Sequence, residues 1–332
     1  GRSFIYVAVS HESGRLDESA IFLHAADGPD VELTRAQFPG QIVSGHLLVL
    51  REDTLYASPF DHSTGALTEN AIPIVRGVSG DMTTWFGTFS ATDSGALVYQ
   101  KSTQMKATDG TKFGGPTTFG ESMRTTLLRR DGRPVRLIAE GIVQSSPTLS
   151  QQYGRLAISG APGGLASRSG FDIWIYRLAR YDSSSEDGSE EDRVLSAFDE
   201  PPRRLTFLPG TEVSPQWSPA GDWIVFGYIR SGGDSSESAG LMKVRTSGGQ
   251  PELLVEQKES GSGNVLVPSD WSADGRYIVF TEGSWLSIGV NDIRAYDLQT
   301  NQIITLVENE KDDQGGCISP DGKWLAYESS EW

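Results

Sequence analysis

The chain is poor in the residues that disulfide and metal chemistry require. Among 332 residues there is one cysteine, Cys317, and there are four histidines. A single thiol excludes an intramolecular disulfide and a thiolate zinc cluster. The apolar pattern around it predicts a buried, inert thiol. His11, His24, His46 and His62 all fall in the first fifth of the chain, and no two stand at the i, i+4 spacing of a helical metal pair. Neither a metal nor an organic cofactor is therefore expected. Basic residues are also scarce, 28 Lys and Arg against 44 Asp and Glu, for a formal charge of −16. Such a balance repels a phosphate backbone, which excludes nucleic acid as an expected partner. No run of about 18 apolar residues occurs, so no helical membrane span is expected, and the opening residues do not read as a leader. Signatures of catalysis are missing too. There is no Gly-x-Ser-x-Gly elbow for a serine nucleophile and no His-Arg-Asp or Asp-Phe-Gly of a kinase.

What the chain does have is repetition. "QWSPAGDWIVF" at 216–226 returns as "DWSADGRYIVF" at 270–280 and as "CISPDGKWLAY" at 317–327. Aligning the serine before each turn gives Ser218, Ser272 and Ser319, with weaker copies at Ser90 and Ser150, at intervals of 60, 68, 54 and 47 residues. Each copy predicts two strands joined by a tight turn at Gly95, Gly154, Gly221, Gly275 or Gly322, because glycine accepts positive φ without a Cβ clash. A third strand follows at 172–178, 240–246 and 292–298, and a fourth at 203–207, 252–256 and 303–307. Four antiparallel strands per unit, without an amphipathic helix, are the pattern of a propeller blade.

The expectation is thus an all-β fold, a β-propeller of four-stranded antiparallel blades spanning 1–332 as a single domain. Six to eight blades are expected, with seven the best count and both terminal blades incomplete. Because position 1 is Gly and both end units are partial, the sequence reads as a piece of a longer chain. Trp217 and Trp271 are expected to wedge against the neighbouring blade.

The repeated segments "SPQWSPAGDWIVF", "PSDWSADGRYIVF" and "GGCISPDGKWLAY" resemble the TolB-type repeat, Pro-x-Trp-Ser-Pro-Asp-Gly-Lys-x-Ile-Ala-Phe. Ala220, Ala273 and Ile318 depart from its usual Asp, Pro and Trp. The order of degenerate blades also resembles the C-terminal propeller of bacterial membrane-bound serine/threonine kinases. That resemblance implies a periplasmic or otherwise extracytoplasmic sensor or docking module.

Propeller topology places the loops between second and third strands on one face, together with the blade-to-blade connectors. Three such loops are expanded, 101–122, 160–170 and 230–239, so binding is expected on that connector face. Residues expected just before the inner strands, at the channel mouth, are Trp85, Phe86, Ser145, Ser146, Gln216, Ser269, Asp270 and Gln314. The leading functional expectation is a noncatalytic binding propeller for a protein, peptide or cell-envelope ligand. A second is the gating propeller of a prolyl-oligopeptidase-like serine peptidase whose catalytic domain lies outside this sequence. A third is a carbohydrate-active propeller using Asp270 with Asp81 or Glu212.

The stretch 181–200, "YDSSSEDGSEEDRVLSAFDE", has eight acidic residues and one basic one, Arg193, so it is expected to be a solvated, flexible insertion. Deleting 183–198 should leave the melting temperature, followed by circular dichroism, unchanged. A lowered midpoint would mean that the stretch docks on the folded domain.

Overall fold

The repeated turn is built from one serine that serves the backbone twice. In the computed structural model of the chain, Ser218 N donates to Trp223 O at 2.9 Å, and Ser218 Oγ accepts from Trp223 N at 3.0 Å. Ser272 does the same with Tyr277, at 2.8 and 2.7 Å, and Ser319 with Trp324, at 2.9 and 3.0 Å. The hydroxyl thereby satisfies a backbone N–H that a tight turn would leave open. Gly221, Gly275 and Gly322 supply φ values of 66°, 75° and 71°, which a Cβ would oppose. Each serine hydroxyl then donates to an aspartate: Asp274 at 2.6 Å, Asp321 at 2.7 Å and, where Ala220 fills the usual position, Asp222 on the far side of the glycine at 2.9 Å. In the weaker copy at 90–99 the turn position belongs to Thr92, whose N donates to Ala96 O at 2.9 Å and whose Oγ1 accepts from Ala96 N. The repeat therefore aligns on Thr92, two residues after Ser90, because Thr performs the task of the serine there.

The structure describes residues 3–8, 19–25, 29–36, 38–78, 80–81, 86–93, 96–102, 123–128, 134–143, 147–150, 154–162, 170–177, 202–230, 238–257, 264–284 and 291–329. A first sheet holds β1 (Ser3–Ala8), β2 (Ala20–Ala25) and β3 (Val31–Arg35). Blade A follows with β4 (Gln41–Val43), β5 (His46–Arg51), β6 (Thr54–Asp61), and an outer edge shared by β7 (Ala66–Leu67) and β8 (Ile72–Arg76). A short ladder of β9 (Gly80–Asp81) and β10 (Phe86–Gly87) leads to blade B, made of β11 (Phe89–Ala91), β12 (Leu97–Ser102), β13 (Met123–Leu128) and β14 (Pro134–Val143). Blade C has β15 (Thr148–Leu149), β16 (Arg155–Pro162), β17 (Asp172–Arg177) and β18 (Arg203–Arg204). The end of β14 pairs with β16 from Gly141 to Val143, so the outer strand of blade B runs on into the inner position of blade C. Blade D is β19 (Thr211–Trp217), β20 (Trp223–Arg230), β21 (Ser238–Arg245) and β22 (Glu252–Gln257). Blade E is β23 (Asn264–Trp271), β24 (Tyr277–Ser284), β25 (Asp292–Asp297) and β26 (Gln302–Val307). The last sheet is β27 (Asp313–Ile318) with β28 (Leu325–Ser329). All described pairings are antiparallel.

Among the described residues, five blades carry four strands, fewer than the six to eight expected. The difference lies at the two ends of the sequence, where the repeats supply a three-stranded and a two-stranded sheet. Sheets pack face to face in chain order, and β28 of the last lies against β1 of the first. The expanded loops and the acidic stretch 181–200 fall almost wholly outside the described residues.

Every described apolar cluster spans two neighbouring sheets. Ala157, Ile173, Ile175 and Leu205 of blade C meet Ile224, Phe226 and Val244 of blade D. Val225 and Leu241 of blade D meet Leu266, Trp271, Ile278, Phe280 and Tyr296 of blade E. Second strands are covered on both faces, which is why Ile224-Val225-Phe226 and Ile278-Val279-Phe280 run apolar without alternation, and all six are 0 % exposed. Contact between blades D and E is close enough that a Cβ on Gly227 would lie 2.3 Å from Leu266 O. Trp271 forms the wedge its motif predicts, 9 % exposed between two blades, with Nε1 donating to Gly275 O at 3.2 Å. Trp217 is half-buried and donates from Nε1 to Thr148 O of blade C at 3.0 Å. Replacing Trp271 by Ala should destabilise the fold by about 3–5 kcal/mol through lost burial and a residual cavity. An unchanged thermal melting midpoint would refute the wedge.

Candidate functional site

Inner strands are longer than the motif suggests, and this relocates the expected channel-mouth residues. β19 begins at Thr211 and β23 at Asn264, so Gln216, Ser269 and Asp270 lie inside the strands near the turn end instead of just before them. A bulge divides each strand: pairing shifts between Val213 and Gln216, between Pro268 and Asp270, and between Gln314 and Cys317. Bulges re-aim the side chains on either side of them. The residue at the bulge of β19, Ser214, holds φ at 51°.

The turn-end halves stitch neighbouring blades together. Asp270 Oδ2 accepts from Ile318 N at 2.8 Å, and Ser269 Oγ donates to Gly316 O at 2.6 Å. Two junctions earlier, Thr148 Oγ1 of blade C donates to Pro215 O of blade D at 3.1 Å. Ser90 Oγ accepts from Leu149 N at 3.2 Å, and Gln41 meets both backbone groups of Ala91, at 3.0 and 3.1 Å. Gln216 is half-buried at the corresponding place in blade D. Gln314 lies at the connector half of β27, opposite Glu328, to which it is hydrogen-bonded. Phe86 pairs with Asp81 in the ladder ahead of blade B, and its side chain lies outside the described residues, as do Trp85, Ser145 and Ser146. Asp81 and Asp270 are therefore on different elements, β9 and β23.

The connector halves hold what the motif alignment passed over. Glu212, 0 % exposed, stands five residues before Trp217, and Asp313, also 0 % exposed, stands five before Ile318. Their backbone nitrogens make the same bond to the preceding blade: Glu212 N to Phe171 O at 2.9 Å, and Asp313 N to Asn291 O at 3.0 Å. The residue after each acceptor is an aspartate that opens a third strand, Asp172 or Asp292. A carboxyl pair is thus written twice, at the junction of blades C and D and at that of blade E with the last sheet. Between blades D and E the same positions are Gly240 and Leu266, and that junction is apolar. The sequence offers Glu212 only as a partner for Asp270; the aspartates opening "DIWIYRL" and "DIRAYDL" are the visible signal of its role.

Burial dominates the electrostatics of both pairs. Glu212 Oε2 accepts from Ile173 N at 3.0 Å and from Thr206 Oγ1, while Oε1 has no protein partner. Desolvation, reinforced by the Asp172 charge, pushes its pKa up to about 7 against the lowering effect of these hydrogen bonds. Asp172 is raised by burial, which outweighs Arg204 donating to it at 2.6 Å. At the second pair, Asp292 is raised by burial in spite of Arg294 at 3.1 Å, with Glu308, Glu282 and Asp313 adding to the rise. Asp292 Oδ1, Asp313 Oδ1 and Glu328 Oε1 are buried without a protein partner, and burial holds Glu328 well above the carboxylate range. Asp313 Oδ2 is held by Asn309 Nδ2 at 2.6 Å.

Cys317 is exposed, against the expectation of burial, because β27 belongs to a sheet of only two strands. Its thiol is nevertheless pushed far up, by desolvation of the sulfur and then by the Asp270 carboxylate to which it bonds, so the thiolate is disfavoured. Among the described residues no three His, Cys, Asp or Glu side chains are arranged to hold a metal ion.

Solved structures share this fold at low identity. An oligogalacturonate lyase in complex with manganese superposes with a TM-score of 0.59 at 14 % identity, covering 92 % of this chain and 78 % of that one. A protein assigned as TolB from Agrobacterium tumefaciens gives 0.52 at 17 %, covering 98 % of both chains. The acylaminoacyl peptidase of Pyrococcus horikoshii gives 0.58 at 12 %, covering 98 % of this chain but 46 % of that one. No family model matches the chain, and no curated protein matches it in sequence. What these likenesses establish is the TolB-like β-propeller fold.

A carboxyl whose folded pKa is raised binds its proton more tightly in the native state than in the unfolded one. Its contribution is therefore full below the ordinary value of 4.5 and is lost as pH rises towards about 7. For Glu212 this loss is about 3 kcal/mol, with Asp172, Arg204 and Tyr228 as the charged and titratable neighbours. Glu212→Gln should flatten the pH dependence of the melting temperature across that window. An unaltered slope would show that Glu212 titrates normally.

Proposed function

We propose that the chain is a noncatalytic binding propeller, the extracytoplasmic sensor or docking module of a larger bacterial signalling protein of the membrane-kinase type that its sequence resembles. In this reading the three-stranded and two-stranded end sheets are parts of terminal units, seven in all, in a single propeller domain. Its channel mouth combines Gln314 with Trp85, Phe86, Ser145 and Ser146, while Gln216, Ser269 and Asp270 line the channel further in.

One observation carries the reading. Glu212 Oε1, Asp292 Oδ1, Asp313 Oδ1 and Glu328 Oε1 are buried acceptors left open at the connector ends of the strands. Leaving such acceptors unmet is costly, so a ligand that brings N–H donors, directly or through water, gains affinity by completing them. A protein or peptide segment with Lys, Arg or a free amine suits them, as does a cationic cell-envelope group. The charge of −16 would also steer such a ligand inward.

The gating-propeller reading is favoured by the peptidase likeness, in which a piece matching 98 % of this chain makes up under half of the other protein. A nucleophile-elbow serine encoded beyond Trp332, with hydrolysis of an aminoacyl-nitroanilide by the longer protein, would establish it over the sensor reading.

The test of the binding reading is a random peptide library selected on the immobilised chain, with the enriched peptides followed by fluorescence anisotropy. Gln314→Arg, which places a cation at the connector side, should weaken them about ten-fold, whereas Lys323→Gln on the turn side should not. Failure to enrich peptides, or indifference to Gln314→Arg, would overturn the connector-face assignment.

A further inference from the structure

The connector-side end of blade E gathers four carboxylates around one arginine. Glu282, near the end of β24, stands directly across from Asp292, which opens β25. Glu308 follows the last residue of β26, and Asp313 opens β27 on the neighbouring sheet. Arg294 reaches three of the four: Nε donates to Glu282 Oε2, Nη2 donates to Asp292 Oδ2 at 3.1 Å, and Nη1 stands 3.6 Å from Glu308 Oε2. Arg294, Glu308, Glu282 and Asp313 all bear on the charge of Asp292, so they meet around it at the end of the sheet, whichever face their strands give them. With every carboxyl ionised, four negative charges against one guanidinium leave a surplus of three.

Such a surplus is not a requirement of the fold. Like charges directly across a ladder, as in Glu282 with Asp292, oppose folding, and Arg294 offsets only part of the repulsion. At the junction of blades C and D two carboxyls, Asp172 and Glu212, stand with Arg204. Between blades D and E the positions of Asp292 and Asp313 are held by Gly240 and Leu266, and that junction is apolar.

Two oxygens of the group are left open. Asp292 Oδ1 and Asp313 Oδ1 are buried without a protein partner, while the second oxygen of each is held, by Arg294 and by Asn309 Nδ2 at 2.6 Å. Asp313 is 0 % exposed, whereas the Asp292 side chain is 19 % and that of Glu308 60 % exposed, so the group opens to solvent on the Glu308 side. Both open atoms are acceptors, and the surrounding charge is negative, so the missing partner is a cation that brings N–H donors. A calcium ion requires six to eight oxygens converging on one point, and among the described residues no three carboxyls converge in that way. Instead they are strung out from Asp313 to Glu308.

We propose that this end of blade E binds a linear aliphatic polyamine, with one ammonium group at Asp292 and Asp313 and the next at Glu308. The proposal rests on the reading of the connector face as a binding face and names a small-molecule occupant for one part of it. A polyamine is a string of donors joined by methylene spacers, which matches acceptors spaced along a line. A peptide brings a carbonyl with each backbone N–H and must find donors for those as well, whereas the spacers of a polyamine carry no polar group to leave unmet. The net charge of −16 raises the local concentration of such a polycation.

Titrating the full chain with spermidine at low ionic strength, followed by calorimetry, tests the site. Saturable one-to-one binding is expected, about ten-fold weaker in Asp292→Asn and in Glu308→Gln and unchanged in Glu69→Gln, which removes the same charge from an exposed position between β7 and β8. Glu308 is exposed, so its variant keeps the test valid if Asp292→Asn unfolds. Absence of saturable binding, or equal binding by Glu308→Gln and Glu69→Gln, overturns the proposal, because the attraction would then be diffuse. Calcium chloride titrated in the same way distinguishes the chemistry: weaker binding than spermidine supports the polyamine, and tighter binding that is lost in Glu308→Gln overturns it. Spermidine failing where library-selected peptides bind overturns the polyamine alone, whereas failure of both overturns the binding reading with it.

Discussion

An inner strand of a propeller has a sheet neighbour on one edge only, so the backbone polar groups of its other edge face the channel and must be satisfied from elsewhere. Side chains of the adjacent inner strand meet much of that requirement here. Gln41 bonds both backbone groups of Ala91, Ser90 reaches Leu149, Thr148 reaches Pro215, Ser269 reaches Gly316 and Asp270 reaches Ile318. Apolar burial between faces drives the sheets together, but it is non-directional. The polar stitches fix the relative height of each sheet, and with it the position of every group that depends on two blades.

Both carboxyl pairs depend on two blades in this sense. Glu212 is buried because its strand is drawn against the start of β17, and its pKa of about 7 follows from that burial and from Asp172 alongside. Asp313 and Asp292 repeat the arrangement two junctions further on, whereas Gly240 and Leu266 fill it with apolar contact at the junction in between. The same scaffold position thus serves as a core contact at one junction and as a polar recess at its neighbours, which is how a repeat fold acquires a site without altering its architecture.

Carboxyls stand at both ends of the strands but are partnered differently. On the turn side Asp222, Asp274 and Asp321 accept from the turn serines. On the connector side Glu212, Asp292 and Asp313 each keep one buried oxygen without a protein partner, which makes that side the one with polar groups left to satisfy.

Period and turn chemistry were readable along the chain. The Ser-x-x-Gly turns and the indole bond of Trp271 to Gly275 are local in origin, since a hydroxyl, a glycine and an indole N–H act within a few residues of themselves. Blade count and strand starts were less legible: a unit at the end of a sequence looks like a repeat whether or not four strands are present, and a bulge hides the first half of an inner strand. Gln216, Ser269 and Asp270 lie within their strands near the turn, not just ahead of them, for that reason. By itself the sequence determined the hairpins, the apolar second strands and the overall acidity, because each depends on neighbours in the chain. Only the tertiary structure decided which carboxyls are buried and which side chains join one blade to the next, because those depend on residues brought from separate repeats into one junction.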